Sequence, residues 1–332
     1  MTDDASLAIQ VEGLSKHYGE VQAVAGVDFA VREGELFGFL GPNGAGKTTT
    51  INVLTGLARP DAGTLWIGGT DCTANPKAAQ HLIGVVPDES NLYPELTGLE
   101  NLCFCAALYG MRRREREARA RELLSVFGLA DAAGRKFAGY SRGMKRKLTI
   151  AAGIIHSPPI LFLDEPTTGI DVASARQVRQ LIADLHRGGT TIFLTSHYIE
   201  EAERLCERIA FIVSGRIVRT DTVANLVQPV QDRYALVLSV SRADAEPAER
   251  LTSAFPDLTI TTAGPGRIRV ESRQRIPVGP LVRFLEEQAV EVVEARQVRP
   301  SLEDVFVEIT GIEADAMRKE KERAGGGGEG AA

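Results

Sequence analysis

Leu36-Phe37-Gly38-Phe39-Leu40-Gly41-Pro42-Asn43-Gly44-Ala45-Gly46-Lys47-Thr48-Thr49 decides how this 332-residue chain is to be read. The apolar run from Glu35 to Leu40 predicts a short buried strand, and Thr48 to Leu57 predicts a helix that stops near Gly56 and Pro60. Between them Gly41 to Thr48 fits the phosphate-loop pattern G-x-x-x-x-G-K-T, placed after a strand and at the opening of a helix. Glycines let backbone N–H groups approach and wrap phosphate oxygens, and the helix N-terminus adds the positive end of its dipole. The expected nucleotide contacts are therefore Gly41, Pro42, Asn43, Gly44, Ala45, Gly46, Lys47, Thr48 and Thr49. Lys47 is expected to reach the β- and γ-phosphates of ATP, and the Thr48 hydroxyl to ligate Mg2+, a hard cation that prefers oxygen.

A phosphate loop does not by itself separate kinases, switches and motors. Ile160-Leu161-Phe162-Leu163-Asp164-Glu165 narrows the choice, because four apolar residues make a buried strand that ends in two carboxylates. Open α/β sheets place their ligands at that end of their strands. Asp164 is expected to hold Mg2+ through water. Glu165 falls where a carboxylate orients or deprotonates an attacking water, which a hydrolase needs more than a kinase does.

Composition sets the frame. With 44% hydrophobic and 25% charged residues, the chain reads as a folded globular protein of two domains. A net charge of −6 disfavours a nucleic-acid binder, and no nucleic-acid partner is expected. The acidic start Met1-Thr2-Asp3-Asp4 leads into no apolar segment of a signal peptide, and no run of eighteen apolar residues occurs, so neither a signal peptide nor a transmembrane segment is expected. Cys72, Cys103, Cys105 and Cys206 are too scattered for a disulfide framework and fit a reducing compartment, with Cys103 and Cys105 read as buried packing. The basic cluster Arg112, Arg113, Arg114 and Arg116 reads as a solvated turn, with a partner or anionic-lipid contact as the lesser alternative.

Alternation in the first thirty residues (Leu7, Ile9, Val11; Val27, Phe29, Val31) predicts a small antiparallel β layer. Ala78 to Val126 reads as mostly helical, broken by a loop from Pro87 to Gly98. From Tyr140 to Val213, helices alternate with buried strands, as a parallel sheet requires, and Ser214-Gly215-Arg216 predicts a hairpin turn. Short strands at Ala235 to Val240 and Arg267 to Val270, with a helix at Leu281 to Glu287, predict a small α+β domain.

Tyr140-Ser141-Arg142-Gly143-Met144, followed by Lys145-Arg146-Lys147, resembles the signature segment of the nucleotide-binding subunits of ATP-binding cassette transporters. On residues alone Ser141 is an N-cap. The resemblance implies that Ser141 and Gly143 contact the γ-phosphate of ATP held by Lys47 of a second copy, so that a homodimer completes each site. Further matches run in order over residues 5 to 220. Tyr18, in His17-Tyr18-Gly19, is similar to the aromatic that stacks on adenine. Asp171, in Thr168-Gly169-Ile170-Asp171, is similar to the loop that communicates across the dimer. His197 is similar to the switch histidine that contacts the γ-phosphate. The pattern departs at two places: Asp88 stands where the family has glutamine, able to ligate Mg2+ but unable to donate an amide hydrogen, and Arg142 stands in place of a glycine.

The fold class that follows is α/β: a phosphate-loop NTPase cassette with an antiparallel β subdomain, a parallel core sheet and a helical subdomain, plus a small α+β C-terminal domain. The domains run 1–228 for the cassette, 229–311 for the accessory domain and 312–332 for a charged, glycine-rich tail expected to be disordered. Expected catalytic residues are Glu165, His197, Lys47 and Asp88. Expected metal ligands are Thr48, Asp88 and Asp164. Pro300-Ser301-Leu302-Glu303-Asp304-Val305-Phe306-Val307-Glu308 resembles an ending found in cassette subunits of drug, lipid and polysaccharide exporters. The resemblance then implies an exporter ATPase driving separate transmembrane permease subunits, held peripherally at the cytoplasmic face of the cell (inner) membrane. The alternatives are a non-transport cassette ATPase acting in translation or on DNA, which would carry two cassettes or a coiled-coil insertion, and a phosphate-loop kinase, which would leave the signature segment unexplained.

Overall fold

The computed structural model describes residues 6–231, 233–241, 246–298 and 301–312. Met1 to Asp4, Pro300 and the tail from 313 onward lie outside the described residues. The chain divides into two units, one ending at Thr222 and one spanning Val223–Gly311.

In the first unit, β1 (Leu7–Tyr18) and β2 (Val21–Arg32) pair antiparallel, with Val11 opposite Phe29, as their alternation predicts. β3 (Leu36–Leu40) leads through the glycine-rich loop into α1 (Lys47–Leu54). β4 (Ala62–Ile67) and β5 (Thr70–Asp71) complete a four-stranded antiparallel sheet of order β2-β1-β4-β5. Then come β6 (Ile83–Val86), α2 (Gly98–Leu108), α3 (Arg113–Val126), α4 (Arg142–Gly153), β7 (Ile160–Asp164) and α5 (Val172–Arg187). The unit closes with β8 (Thr191–Ser196), α6 (Ile199–Leu205), β9 (Arg208–Val213) and β10 (Arg216–Thr222). The second sheet has the order β10-β9-β3-β8-β7-β6, parallel except for the β9–β10 hairpin, whose Ser214 and Gly215 both have positive φ as a two-residue turn requires.

The reading of Ala78 to Val126 as helical fails at Ile83–Val86, which is an edge strand paired with β7. Four residues, three of them apolar and one glycine, carry too little periodicity to separate strand from helix. Gly84 has a packing reason: a Cβ there would meet the Gly153 carbonyl at 2.2 Å, where α4 ends against the strand. Cys103 and Cys105 are half-buried on α2 rather than fully buried, while Arg112, Arg113 and Arg114 are exposed at the start of α3.

The two sheets meet through aromatic rings. Phe29 of β2 lies 6.0 Å from Phe37, 5.5 Å from Phe39 and 5.7 Å from Phe193 between ring centroids, so the antiparallel layer is packed directly onto β3 and β8. Beside it, the buried carboxylate of Glu35 pairs with Arg208 at 3.0 Å and accepts the Arg32 N–H at 2.8 Å.

The second unit contains α7 (Val223–Gln231), β11 (Tyr234–Val240), α8 (Glu246–Ala254), β12 (Thr259–Thr262), β13 (Arg267–Ser272), α9 (Val278–Glu287), β14 (Val292–Val298) and α10 (Leu302–Thr310). Its sheet order β12-β13-β11-β14, antiparallel throughout and interleaved with α8 and α9, is the split β-α-β arrangement of ferredoxin-like domains. Leu236, Leu238, Val270, Leu251, Leu281 and Leu285 form its core. The break between units falls after Thr222, six residues before the expected boundary at 228, because α7 packs with α10.

Candidate functional site

Register places the chemistry. Leu40 is opposite Ser196, and Asp164 is opposite Thr195, so β3, β7 and β8 end together and release the glycine-rich loop, Glu165 and His197 at one sheet edge. The loop's shape is forced by contacts. Gly46 has φ 104, and a Cβ there would meet the Ala23 carbonyl at 2.4 Å, so only glycine lets α1 begin at this point. Lys47 is buried, and its Nζ donates to the Gly41 carbonyl at 2.7 Å and the Pro42 carbonyl at 3.1 Å, which curls the loop around the ammonium.

Glu165 is the centre of the cluster. Its Oε1 is 3.3 Å from Lys47 Nζ, and its Oε2 is 2.5 Å from His197 Nδ1 and accepts the Thr168 hydroxyl at 3.0 Å. Glu165 has φ 49, a left-handed backbone unusual for a side-chain-bearing residue, and its N–H donates to the Thr195 carbonyl at 3.1 Å. Such strain persists only where neighbours over-determine it, and it gathers at functional sites. Here both backbone and carboxylate are held.

Asp164 lies beneath it, buried, with the Thr195 hydroxyl donating to its Oδ1. Burial pushes its carboxyl above the ordinary aspartate range, against hydrogen bonds from the Thr195 and Thr48 hydroxyls that pull it down. The donor set of Thr48, Asp88 and Asp164 is all oxygen, which fits Mg2+ and would fit a soft metal poorly. Thr48 and Asp88 are exposed.

The other expected residues form separate groups. Ser141 is the N-cap of α4, its Oγ accepting the Met144 N–H at 3.3 Å, and it is exposed together with Arg142. Gly143 is buried against α5, where a Cβ would meet Ser174 Oγ at 2.1 Å, and Ser174 Oγ in turn donates to Asp171 Oδ2 at 2.7 Å. Ser141 and Asp171 are thus exposed at the openings of α4 and α5, with Gly143 packed between the two helices. Tyr18, half exposed at the end of β1, has Lys16 Nζ 5.4 Å from its ring centroid.

Two buried charges near this site escaped the sequence reading. Arg146 of α4 donates through Nε to the Pro166 carbonyl at 2.8 Å, through one terminal nitrogen to the Asp164 carbonyl at 2.7 Å, and through the other to the carbonyls of Pro87 and Asp88. Its spacing from Gly143, Thr149 and Gly153 puts it on the buried face of the helix, a signal that its place in the Lys145-Arg146-Lys147 run obscured. Glu201 of α6 is also buried, its Oε2 accepting the Thr167 hydroxyl at 2.8 Å and the Ser196 hydroxyl at 3.2 Å.

Comparison with known proteins gives a consistent answer. A family model described as ABC transporter matches residues 24–168. A daunorubicin resistance ATP-binding protein of Streptomyces coeruleorubidus is 38% identical over 311 residues, covering 92% of this chain and 95% of that protein. The daunorubicin/doxorubicin resistance ATP-binding protein of Streptomyces peucetius is 40% identical, over 97% of this chain and 98% of its own length. Among solved structures, a dimeric ATP-binding cassette in a post-hydrolysis state with ADP and Pi superposes with a TM-score of 0.60 at 28% identity, covering 65% of this chain and 98% of that one.

Proposed function

Because this chain belongs to the ABC transporter family, as an ATP-binding and ATP-hydrolysing subunit of its exporter branch, we propose that it acts as a homodimer closing on two MgATP to drive separate membrane subunits. The observation that carries the mechanism is the Lys47–Glu165–His197 constellation at the shared end of β3, β7 and β8.

Each residue's part follows from its place. The loop amides, Lys47 and Thr49 grip the phosphates, and Tyr18 receives the adenine. Thr48, Asp164 and Asp88 hold Mg2+, which when bound neutralises phosphate charge. Glu165 Oε2 is occupied by His197 and Thr168, which leaves Oε1 to take the proton of a water attacking the γ-phosphate. For that, Lys47 must leave Oε1 and turn to the nucleotide. His197 fixes the angle of the carboxylate. Ser141 and Gly143 serve the partner's nucleotide, and Asp171, whose Oδ2 accepts the Ser174 hydroxyl beside Gly143, contacts the partner across the closed dimer.

The membrane subunits are proposed to dock next to the Asp88 loop, where Tyr93, Phe104 and Leu108 are 51%, 39% and 71% exposed and the first two rings meet edge-on at 5.1 Å. Solvent-facing apolar clusters of this kind are interaction surfaces. Docking there holds the protein peripherally at the cytoplasmic face. No helix among the described residues is long and apolar enough to cross a membrane. The drug-resistance names of the relatives support a drug-type cargo.

The test is Glu165→Gln. It keeps the shape of the side chain and removes the proton acceptor, so turnover should fall by about 100-fold or more while MgATP now traps a stable dimer. Undiminished turnover would overturn the assignment.

A further inference from the structure

Arg146 joins parts of the site that the proposed mechanism leaves unconnected. It sits five residues beyond Ser141 on the same helix, and its buried guanidinium spends three nitrogens on four main-chain carbonyls. Two of these, Pro87 and Asp88, follow β6; the other two, Asp164 and Pro166, bracket Glu165 at the end of β7. A buried charge costs several kcal/mol unless it is well compensated, and a helix–strand contact could be filled by an apolar side chain instead. Compensation is present: Asp88, Asp164, Glu165 and Glu201 all act on Arg146 electrostatically. The guanidinium is planar, with donors in fixed directions, so it can span the two strand ends in a way that one ammonium nitrogen cannot.

We infer that Arg146 is a positioning residue that transmits the docking of Ser141 on the partner's nucleotide to the chain's own Asp88 and Asp164–Pro166 segments. This rests on the dimer reading above. α4 is regular from Arg142 to Gly153, and a helix shifts as a unit. A displacement at its N-cap is therefore carried to Arg146 about 7 Å further along, at 1.5 Å per residue. From there it reaches the two segments that place the metal ligands and the water-activating carboxylate. One copy's phosphate thus sets the geometry of the other copy's hydrolysis.

The experiment uses full-length protein. In the Glu165→Gln parent, MgATP is added and backbone amide exchange is followed over residues 88–90 and 164–168, with dimer formation read by sedimentation. In the parent, the dimer forms and both segments become protected. In Glu165→Gln/Arg146→Lys, the dimer still forms, but exchange over 88–90 stays about tenfold or more faster than in the parent, because an ammonium replaces the fork. In the otherwise unaltered chain, Arg146→Lys lowers kcat about tenfold with KM within about twofold. Melting temperature is read first, and if Arg146→Lys unfolds, Arg146→Gln, whose planar amide keeps two donors, replaces it. Parental protection and turnover in the lysine variant would overturn the inference alone, since charge without geometry would then suffice. A parent that remains monomeric in MgATP would bring down the dimer reading, and this inference with it.

Discussion

His197 Nδ1 stands 2.5 Å from Glu165 Oε2, and both side chains are buried. The contact crosses from the end of β8 to the end of β7, so a neighbouring strand, together with Thr168, sets the angle of the glutamate.

Replacing His197 should therefore injure chemistry more than binding. His197→Ala is expected to lower kcat by about 100-fold and to change ATP affinity by less than about threefold, because the lost contact orients a carboxylate rather than gripping phosphate. Steady-state turnover beside equilibrium binding of a fluorescent nucleotide checks this.

Ser141 is exposed and its hydroxyl caps α4, so its removal has a modest structural cost, about 1 kcal/mol. Its expected functional cost is larger: Ser141→Ala should cut turnover by about tenfold to 100-fold and, in the Glu165→Gln background, weaken the MgATP-held dimer. Sedimentation velocity with and without nucleotide reads the second effect. Full turnover in Ser141→Ala would contradict completion of the site by a partner.

Gly46→Ala tests the loop itself. With φ 104 and the Ala23 carbonyl at 2.4 Å from the added Cβ, the substitution is expected to destabilise the nucleotide-free chain by roughly 2–4 kcal/mol and to abolish ATP binding. Urea unfolding and nucleotide titration measure the two losses.

Glu201 supplies a pH test. Burial pushes its carboxyl above the ordinary value of 4.5, against hydrogen bonds from Thr167 and Ser196. The folded chain then keeps a proton that the unfolded chain releases, so this group's contribution to stability is full below 4.5 and is lost as pH rises through the folded value. Glu201→Gln, which cannot ionise, should match the wild type near pH 4.5 and become progressively more stable than it as pH rises to 8, read by denaturant unfolding across that range. A difference that does not change with pH would show that the carboxyl is not the source.

The parallel sheet and the glycine-rich loop were legible because their signals are local: a strand, a fixed spacing of glycines, a helix. Both Asp164 and Glu165 could be found the same way, since an apolar run that ends in carboxylates announces itself. Arg146 and Glu201 could not, because each sits among other charges in the sequence and only the packing of α4 and α6 turns it inward. In the second unit β12 and β14 went unread for a related reason: strand edges with mostly exposed residues, such as Thr259–Thr262, carry no alternation.

Phe29, meeting Phe37, Phe39 and Phe193 at once, has a mechanical consequence. Rings locked at this density do not slide, so the strand pair ending in Tyr18 and the loop carrying Lys47 travel as a single block. Whatever rearranges between states of the subunit must therefore lie outside that block, and an engineered bond within it, between β2 and β8, would leave the cycle running.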